Sequence, residues 1–321
     1  MDDASISEHD FRFDPSHGYD LAALLKVEAP SAPDDFEEFW RDRYARAVEV
    51  KPRVRLKDTG EDRDGWRVWE VVYSSTKRTE IRGWALIPLK EAPRRGFVVG
   101  HGYGGRDWPD FHLPMKDAAY LFPCSRGLGK SRHPRVSGDA AWHVLHNIHD
   151  RDRYVIGGCV DDVWIGVSAL ERISPGVVGH VGYLGISFGG GIGAMAVPWD
   201  DRIKRAHYCV PTFGNQPLRA KLGSVGSAAS VQAFLKRHPE AMSTLGYYDA
   251  AISAKFTKQP VHCACALFDP AVAPAGQFAV HNSLAGVREL FVLKAGHFEY
   301  PEQSEENERL LREIDDFFRD L

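Results

Sequence analysis

The sequence predicts an α/β protein built on a mostly parallel, doubly wound sheet with helices on both faces. Three observations carry that expectation. Six short apolar runs recur from residue 96 onward: GFVVGHG, AAYLFPCS, GHVGYLGIS, RAHYCVPT, VHCACALFD and RELFVLKAGH. Strands apolar throughout are strands buried on both faces, as in a parallel sheet covered by helices. Helical stretches or long connections separate the runs, which lead into loops rich in Gly, Asp and His, where such sheets gather their chemistry. Finally, YLGISFGGGIG at 183–193 passes from an apolar strand to a small-residue helix through a tight turn.

The elements follow in order. In APDDFEEFWRDRYARAVE, Pro33 and the acidic residues after it suit a helix N-terminus, and Phe36, Phe39, Trp40 and Tyr44 share one face. RVWEVVYSS and EIRGWALIPL alternate with a period of two and read as an antiparallel hairpin. Together these form a helical and antiparallel extension over about residues 1–90. The parallel units come next. Residues 214–258 hold no clear strand, and ASVQAFLKRH and YYDAAISAKF read as helices, so a helical cap insertion is expected there. No repeat or low-complexity linker divides the chain, which makes residues 1–321 a single domain.

Composition excludes several classes. With 44% hydrophobic and 26% charged residues and a formal net charge of −4, the chain has an ordinary globular composition. That mild acidity gives no basis for nucleic acid or an anionic membrane as partner. MDDASISEHDFRFDP has neither the basic start nor the apolar core of a secretory signal. The five cysteines (124, 159, 209, 263 and 265) are odd in number and lie in apolar stretches, so they read as buried free thiols of a reduced, cytoplasmic protein. Cys263 and Cys265 alternate along a strand and share a face. Residues 176–198 are long enough to span a membrane, but His180, three consecutive glycines and close flanking charges favour a strand, a turn and a helix.

The glycine-dense stretch admits competing readings. Gly189, Gly191 and Ala194 match a dinucleotide G-x-G-x-x-A, yet Asp200 and Asp201 come too early to hold a ribose. GLGKS at 127–131 matches the end of a phosphate loop, but the glycine required at 124 is Cys124. No cofactor is therefore expected. The remaining reading is G-x-S-x-G at Gly185-Ile186-Ser187-Phe188-Gly189. A serine on a strand-to-helix turn needs small neighbours two residues away, because a Cβ there strikes the adjacent backbone. Its Oγ then stands above the sheet, and the helix starting at Phe188 offers a backbone N–H to a developing oxyanion.

A nucleophilic serine needs a base, and the base needs an orienting carboxylate. In an α/β-hydrolase they follow in the order Ser, Asp or Glu, His, each just after a strand. VHCACALFD ends in Asp269 and RELFVLKAGH in His297. Alone, Asp269 is a turn-capping carboxylate before Pro270, and His297 a loop histidine. The ordered trio selects Ser187, Asp269 and His297 as catalytic candidates. A second oxyanion donor belongs in the loop after an early strand, and in VVGHGYGG the backbone N–H of Tyr103 is the candidate.

With FHGYG-like, RG-x-G, G-x-S-x-G, D-x-x-x-x-P and GH-x-E elements in this order, the chain resembles the acetyl xylan esterase / cephalosporin-C deacetylase family. The likeness runs from PDDFEEFW through EIRGWALIP and TLGYYDAAISA to the C-terminal helix. It implies an α/β-hydrolase that removes acetyl groups from small acetylated sugars and related esters without a metal, assembled as a homo-oligomer, commonly a hexameric ring. By motif it assigns Ser187 as nucleophile, Asp269 as acid, His297 as base, and Tyr103 and Phe188 as backbone oxyanion donors. Three positions depart from it. Phe188 stands where the family usually has glutamine, Leu128 ends what is usually RGQ, and Cys124 replaces an acidic residue. A backbone N–H survives a side-chain change, so the departures bear on substrate range.

Two further groups stand out. His143, His146 and His149 recur every three residues, a spacing that converges on a metal only on a helix, and no adjacent Glu completes a metalloprotease signature. The resembled family carries a polar, partly histidine-bearing segment here, which implies a surface or site-rim loop, and no metal is expected. Trp108, Phe111 and Trp142 are candidates for the lining of a sugar-binding mouth, with partial core as the competing reading. The expected function is a serine carboxylesterase acting on a small acetyl ester. Another acyl hydrolase of the same fold (a general carboxylesterase, peptidase or thioesterase) and a catalytically silent binding protein are the alternatives.

Overall fold

In the computed structural model, which describes residues 9–321, all six apolar runs become strands of one sheet. The strands are β1 (Arg55–Arg63), β2 (Trp66–Ser74), β3 (Glu80–Pro88), β4 (Gly96–Gly100), β5 (Ala119–Pro123), β6 (Val181–Ile186), β7 (Ile203–Cys209), β8 (Val261–Ala266) and β9 (Arg288–Leu293). Their order in the sheet is β1-β2-β3-β5-β4-β6-β7-β8-β9. Strands β1, β2, β3 and β5 pair antiparallel in succession, and from β5 through β4, β6, β7 and β8 to β9 every pair is parallel.

The helices are α1 (Leu21–Leu24), α2 (Phe36–Val48), α3 (Ala140–His143), α4 (Val155–Ile173), α5 (Phe188–Ala196), α6 (Gln216–Arg219), α7 (Ser227–Leu235), α8 (Ala241–Tyr247), α9 (Ala250–Ala254), α10 (Pro274–Ser283) and α11 (Gln303–Phe317). Alternation along the strands divides the core in two. Val98 and Leu121 point to the cluster formed with α4, α5 and α10, while Phe97, Val99, Tyr120 and Phe122 point to the cluster under α11. Helix α2 buries Phe36, Phe39, Trp40, Arg43 and Ala47 against the first of these layers. None of the described helices is long and apolar enough to cross a membrane.

Strand β1 has no apolar signal. Its sequence RLKDTGEDR is almost wholly exposed, and it exists because Asp64 (φ 52°) and Gly65 (φ 93°) form the tight turn that folds it onto β2. Its charges suit an edge strand, where they discourage pairing with another sheet. Residues 214–258 carry helices α6 to α9, as expected. However, α9 is entirely buried and packs on α5 and α10, so this end of the insertion is core. Its front is tied to the loop after β8: the Val225 N–H donates to the Pro270 carbonyl at 2.9 Å and the Ser224 hydroxyl to that of Ala271 at 2.7 Å. The N-terminal stretch joins the same edge, with Phe11 packed on Phe298 and the Asp269 N–H donating to the Pro15 carbonyl.

A buried ionic knot fastens the antiparallel half of the sheet to α4. Arg126 donates to Asp162 through its backbone N–H (3.1 Å), Nε (3.0 Å) and Nη2 (2.6 Å). Ser75 donates to the same carboxylate, and Arg43 of α2 makes a forked pair with the adjacent Asp161 at 2.7 and 3.0 Å. Removing one partner leaves the other charge buried without compensation. Asp162→Ala is therefore expected to destabilise the fold by about 3–5 kcal/mol, read as a lowered urea midpoint at unchanged slope.

Candidate active site

Strand β6 ends at Ile186 and α5 begins at Phe188, leaving Ser187 alone at the turn with φ 53° and ψ −111°. A side chain rarely adopts that backbone, and the surroundings hold it there. The Ser187 N–H donates to the Cys209 carbonyl at 2.8 Å, and the Ser187 carbonyl accepts from the N–H of Thr212. The Gly189 N–H donates to the His101 carbonyl at 2.9 Å, binding the turn to the loop after β4. A Cβ on Gly185 would stand 2.5 Å from the Gly189 carbonyl oxygen, and one on Gly189 would stand 2.5 Å from the Gly100 carbonyl carbon. Both positions must be glycine for this turn to close.

The loops after β8 and β9 bring the other two candidates to the serine. Ser187 Oγ lies 2.9 Å from His297 Nε2, and His297 Nδ1 lies 2.8 Å from Asp269 Oδ2. The carboxylate accepts at Nδ1, so Nδ1 carries the hydrogen and Nε2 is free to accept from the serine hydroxyl. Asp269 is fully buried, and its oxygens also accept from the N–H groups of Ala271 and Val272 and from Gln277 Nε2, each at 2.9 Å. Gly296 is needed beside it, since a Cβ there would stand 2.4 Å from Asp269 Oδ2. Burial of the His297 ring disfavours its charged form, but the hydrogen bond and negative charge of Asp269 outweigh it and raise the histidine above its usual value.

The loop after β4 passes over the serine, where a Cβ on Gly102 would be 3.9 Å from that of Ser187. Among the described residues the backbone N–H groups of Tyr103 and Phe188 donate to no protein acceptor, so both are free for an oxyanion. The loop is braced from behind. His101 Nε2 accepts from the Ser125 N–H at 3.0 Å while its Nδ1–H donates to the Gly102 carbonyl at 2.6 Å. His143 Nε2–H donates to the Arg126 carbonyl at 2.9 Å, leaving Nδ1 to accept from the Tyr103 hydroxyl at 3.1 Å. Burial lowers both histidines to about 4, so they stay neutral in these fixed tautomers. Phe188 is wholly buried, with its ring 4.3 Å from that of Tyr103 and 6.1 Å from that of Phe213.

The remaining expectations fare differently. His143 is fully buried, which corrects its reading as part of a surface or rim loop; its two hydrogen bonds explain why a polar ring is tolerated there. His146 is half-buried, and His149 is exposed beside His238 and Glu240, so the three do not share one ligand set. Phe111 is buried in the cluster under α11 with the Arg63 guanidinium 4.4 Å above its ring, and Trp108 packs edge-on against Trp84 of β3. Phe111 is a packing residue of the sheet face opposite to Phe188, and Trp108 leans on that face with 37% of its surface exposed. Trp142 alone of the three is largely exposed, at 67%. His101 and Gln277 went unread in the sequence. His101 immediately precedes the GYGG loop, a usable signal, whereas Gln277 lies inside PAGQFAVHNS with nothing to mark it.

The family model described as acetyl xylan esterase matches residues 24–312. Among solved structures, an acetyl xylan esterase from a Paenibacillus species superposes with a TM-score of 0.80 at 21% identity, covering 92% of this chain and 99% of that one. Acetyl xylan esterase 1 from a Thermoanaerobacterium species gives 0.76 at 19% identity, covering 94% and 99%. An acylaminoacyl peptidase from Pyrococcus horikoshii gives 0.57 at 15% identity, covering 83% of this chain and 47% of that one. These likenesses show the α/β-hydrolase fold.

Proton transfer from Ser187 requires a neutral His297, so kcat/KM should fall on the acid side with a midpoint above the ordinary histidine value of ~6.5. Asp269→Asn removes the charge that raises it. The midpoint should then move down, with kcat falling by roughly 10⁴. A pH–rate profile of both proteins checks the sign.

Proposed function

This chain belongs to the acetyl xylan esterase family and is a carboxylic ester hydrolase, and we propose that it removes acetyl groups from small acetylated sugars such as xylo-oligosaccharides through Ser187, His297 and Asp269. One observation carries the reading: a serine in a strained turn, hydrogen-bonded to a histidine whose far nitrogen is held by a buried carboxylate. Oγ attacks the acetyl carbon as its proton passes to His297 Nε2. The charge growing on the carbonyl oxygen faces the free N–H groups of Tyr103 and Phe188, and the imidazolium is stabilised by Asp269. Collapse expels the alcohol, which takes the proton from Nε2. Water, activated by the same nitrogen, then releases acetate and restores the serine.

The departures at the elbow and beside it bear on acyl size. Phe188 directs its ring into a packed aromatic group with Tyr103 and Phe213, so the wall beneath the oxyanion donors is rigid. An open apolar pocket would reward each added methylene by up to ~0.8 kcal/mol, whereas overpacking a closed one costs about 1–3 kcal/mol. We propose the closed case, in keeping with the acetyl substrate of the family. Of the aromatic candidates for the sugar side, exposed Trp142 stays in the proposal. Assembly as a homo-oligomer belongs to the same reading and is tested by light scattering.

Ser187→Ala should fold normally and lose several orders of magnitude in kcat, because triad members act as a unit. A variant retaining more than roughly a tenth of the rate removes Ser187 from the mechanism. On a common p-nitrophenol leaving group, acetate should exceed butyrate by at least about tenfold in kcat/KM, and chelators should leave the rate unchanged. A butyrate preference would sink the deacetylase reading and point to a general carboxylesterase, with the role of Ser187 intact.

A further inference from the structure

Behind the brace of the oxyanion loop lies a cleft of about 270 Å³. Six cationic or potentially cationic side chains line it: Lys77, Arg126, His133, Arg135, His146 and Arg153. Among the described residues no carboxylate lines it. Arg126 is committed to Asp162, and Lys77 Nζ donates to the Asp152 carbonyl. Arg135 and Arg153 form no ion pair with a carboxylate among the described residues, and both are exposed. A protein surface normally intersperses the two signs; Arg126 has its counter-charge in Asp162 and Lys77 feels Asp161, so the unbalanced charge of the cleft is that of Arg135 and Arg153.

A second feature adds to the field. The first turn of α4 forms part of the wall, through Val155 and Gly158. That helix is 19 residues long, its N-cap Tyr154 makes no side-chain capping bond, and its first turn carries no acidic residue. The positive end of its dipole is therefore not neutralised by its own sequence. The cations feel one another. Burial lowers Lys77 and Arg43 lowers it further, against the opposing pull of the Asp161 carboxylate, with Arg126 and Arg153 adding to the lowering; burial lowers His146, with His133 and Arg153 adding to it.

We propose that this cleft is a second binding site, distinct from Ser187, that takes a small oxyanion: a phosphate group, free or esterified, or the carboxylate of a sugar acid. The forked guanidinium groups of Arg135 and Arg153 match the geometry of either anion, and the cleft leaves room for an attached ring. The site adjoins functional machinery, because Arg126, in its wall, offers its carbonyl to His143, on which Tyr103 rests.

The test is calorimetric titration and thermal melting with inorganic phosphate and, separately, glucuronate, each against sodium chloride of equal ionic strength. Saturable binding of either anion is expected, with Tm rising where chloride leaves it unchanged. Binding of phosphate alone assigns phosphate chemistry, binding of glucuronate alone assigns sugar carboxylates, and both together assign the shared anion. Arg135→Gln with Arg153→Gln should weaken binding by about tenfold or more, while p-nitrophenyl acetate turnover stays as in the wild type. Arg135→Lys with Arg153→Lys, which keeps the charge, should restore part of the loss. A melting shift that chloride reproduces, or phosphate and glucuronate binding that survives the double glutamine variant, overturns the proposal.

Discussion

Everything at this site depends on a backbone that Ser187 would not adopt on its own. Its φ of 53° with ψ of −111° costs of order 1–3 kcal/mol, and the cost persists only because the surroundings over-determine it. Pairing to the end of β7 fixes the peptide on one side, and the His101 carbonyl fixes Gly189 on the other. The Tyr183 hydroxyl closes the turn from below by donating to the Gly189 carbonyl at 2.7 Å. The glycines follow from this constraint. At positions 185 and 189 a single methyl group would meet main chain, which cannot move aside as a flexible side chain can.

Around that turn, two buried polar systems hold the partners still. On one side Asp269 accepts four hydrogen bonds, from two backbone amides, Gln277 and His297, so the histidine has one orientation and one tautomer. Gln277 is itself fixed by accepting from the Ala266 N–H at 2.8 Å. On the other side Asp162 of α4 holds Arg126, the Arg126 carbonyl holds His143, and His143 holds the Tyr103 hydroxyl. Fully satisfied networks in a dry interior are rigid. The free N–H group of Tyr103 is thus carried on a loop anchored through His143 and Arg126 to α4, and the histidine is held from α10, so both partners of the serine are fixed from the same face of the sheet.

The sequence revealed the parts whose chemistry coincides with a local pattern. Apolar runs marked β4 to β9, and Ser187, Asp269 and His297 were legible because each ends a strand in the order the topology requires. Strand β1 was not legible, since an edge strand sustained by a turn needs no apolar residues. His143 was misplaced because the resembled family's polar segment pointed to a surface loop, while its burial depends on Tyr103 and Arg126, both distant in sequence. Phe111 fell to the competing core reading: the loop after β4 crosses to the α11 face, and nothing local signals the crossing. The insertion was found as helices, but the burial of α9 depends on α5 and α10 and could not be seen in its own residues.

The central claim is that Ser187 is the group that takes the acyl chain. A fluorophosphonate ester reacts with a serine only when a neighbouring base and an oxyanion site activate it, and the adduct survives proteolysis. Mass spectrometry of the labelled, digested protein should find the phosphonyl mass on the peptide containing Ser187, in step with loss of esterase activity. An adduct on any other residue that accompanies the loss, or full activity with Ser187 labelled, would contradict the account.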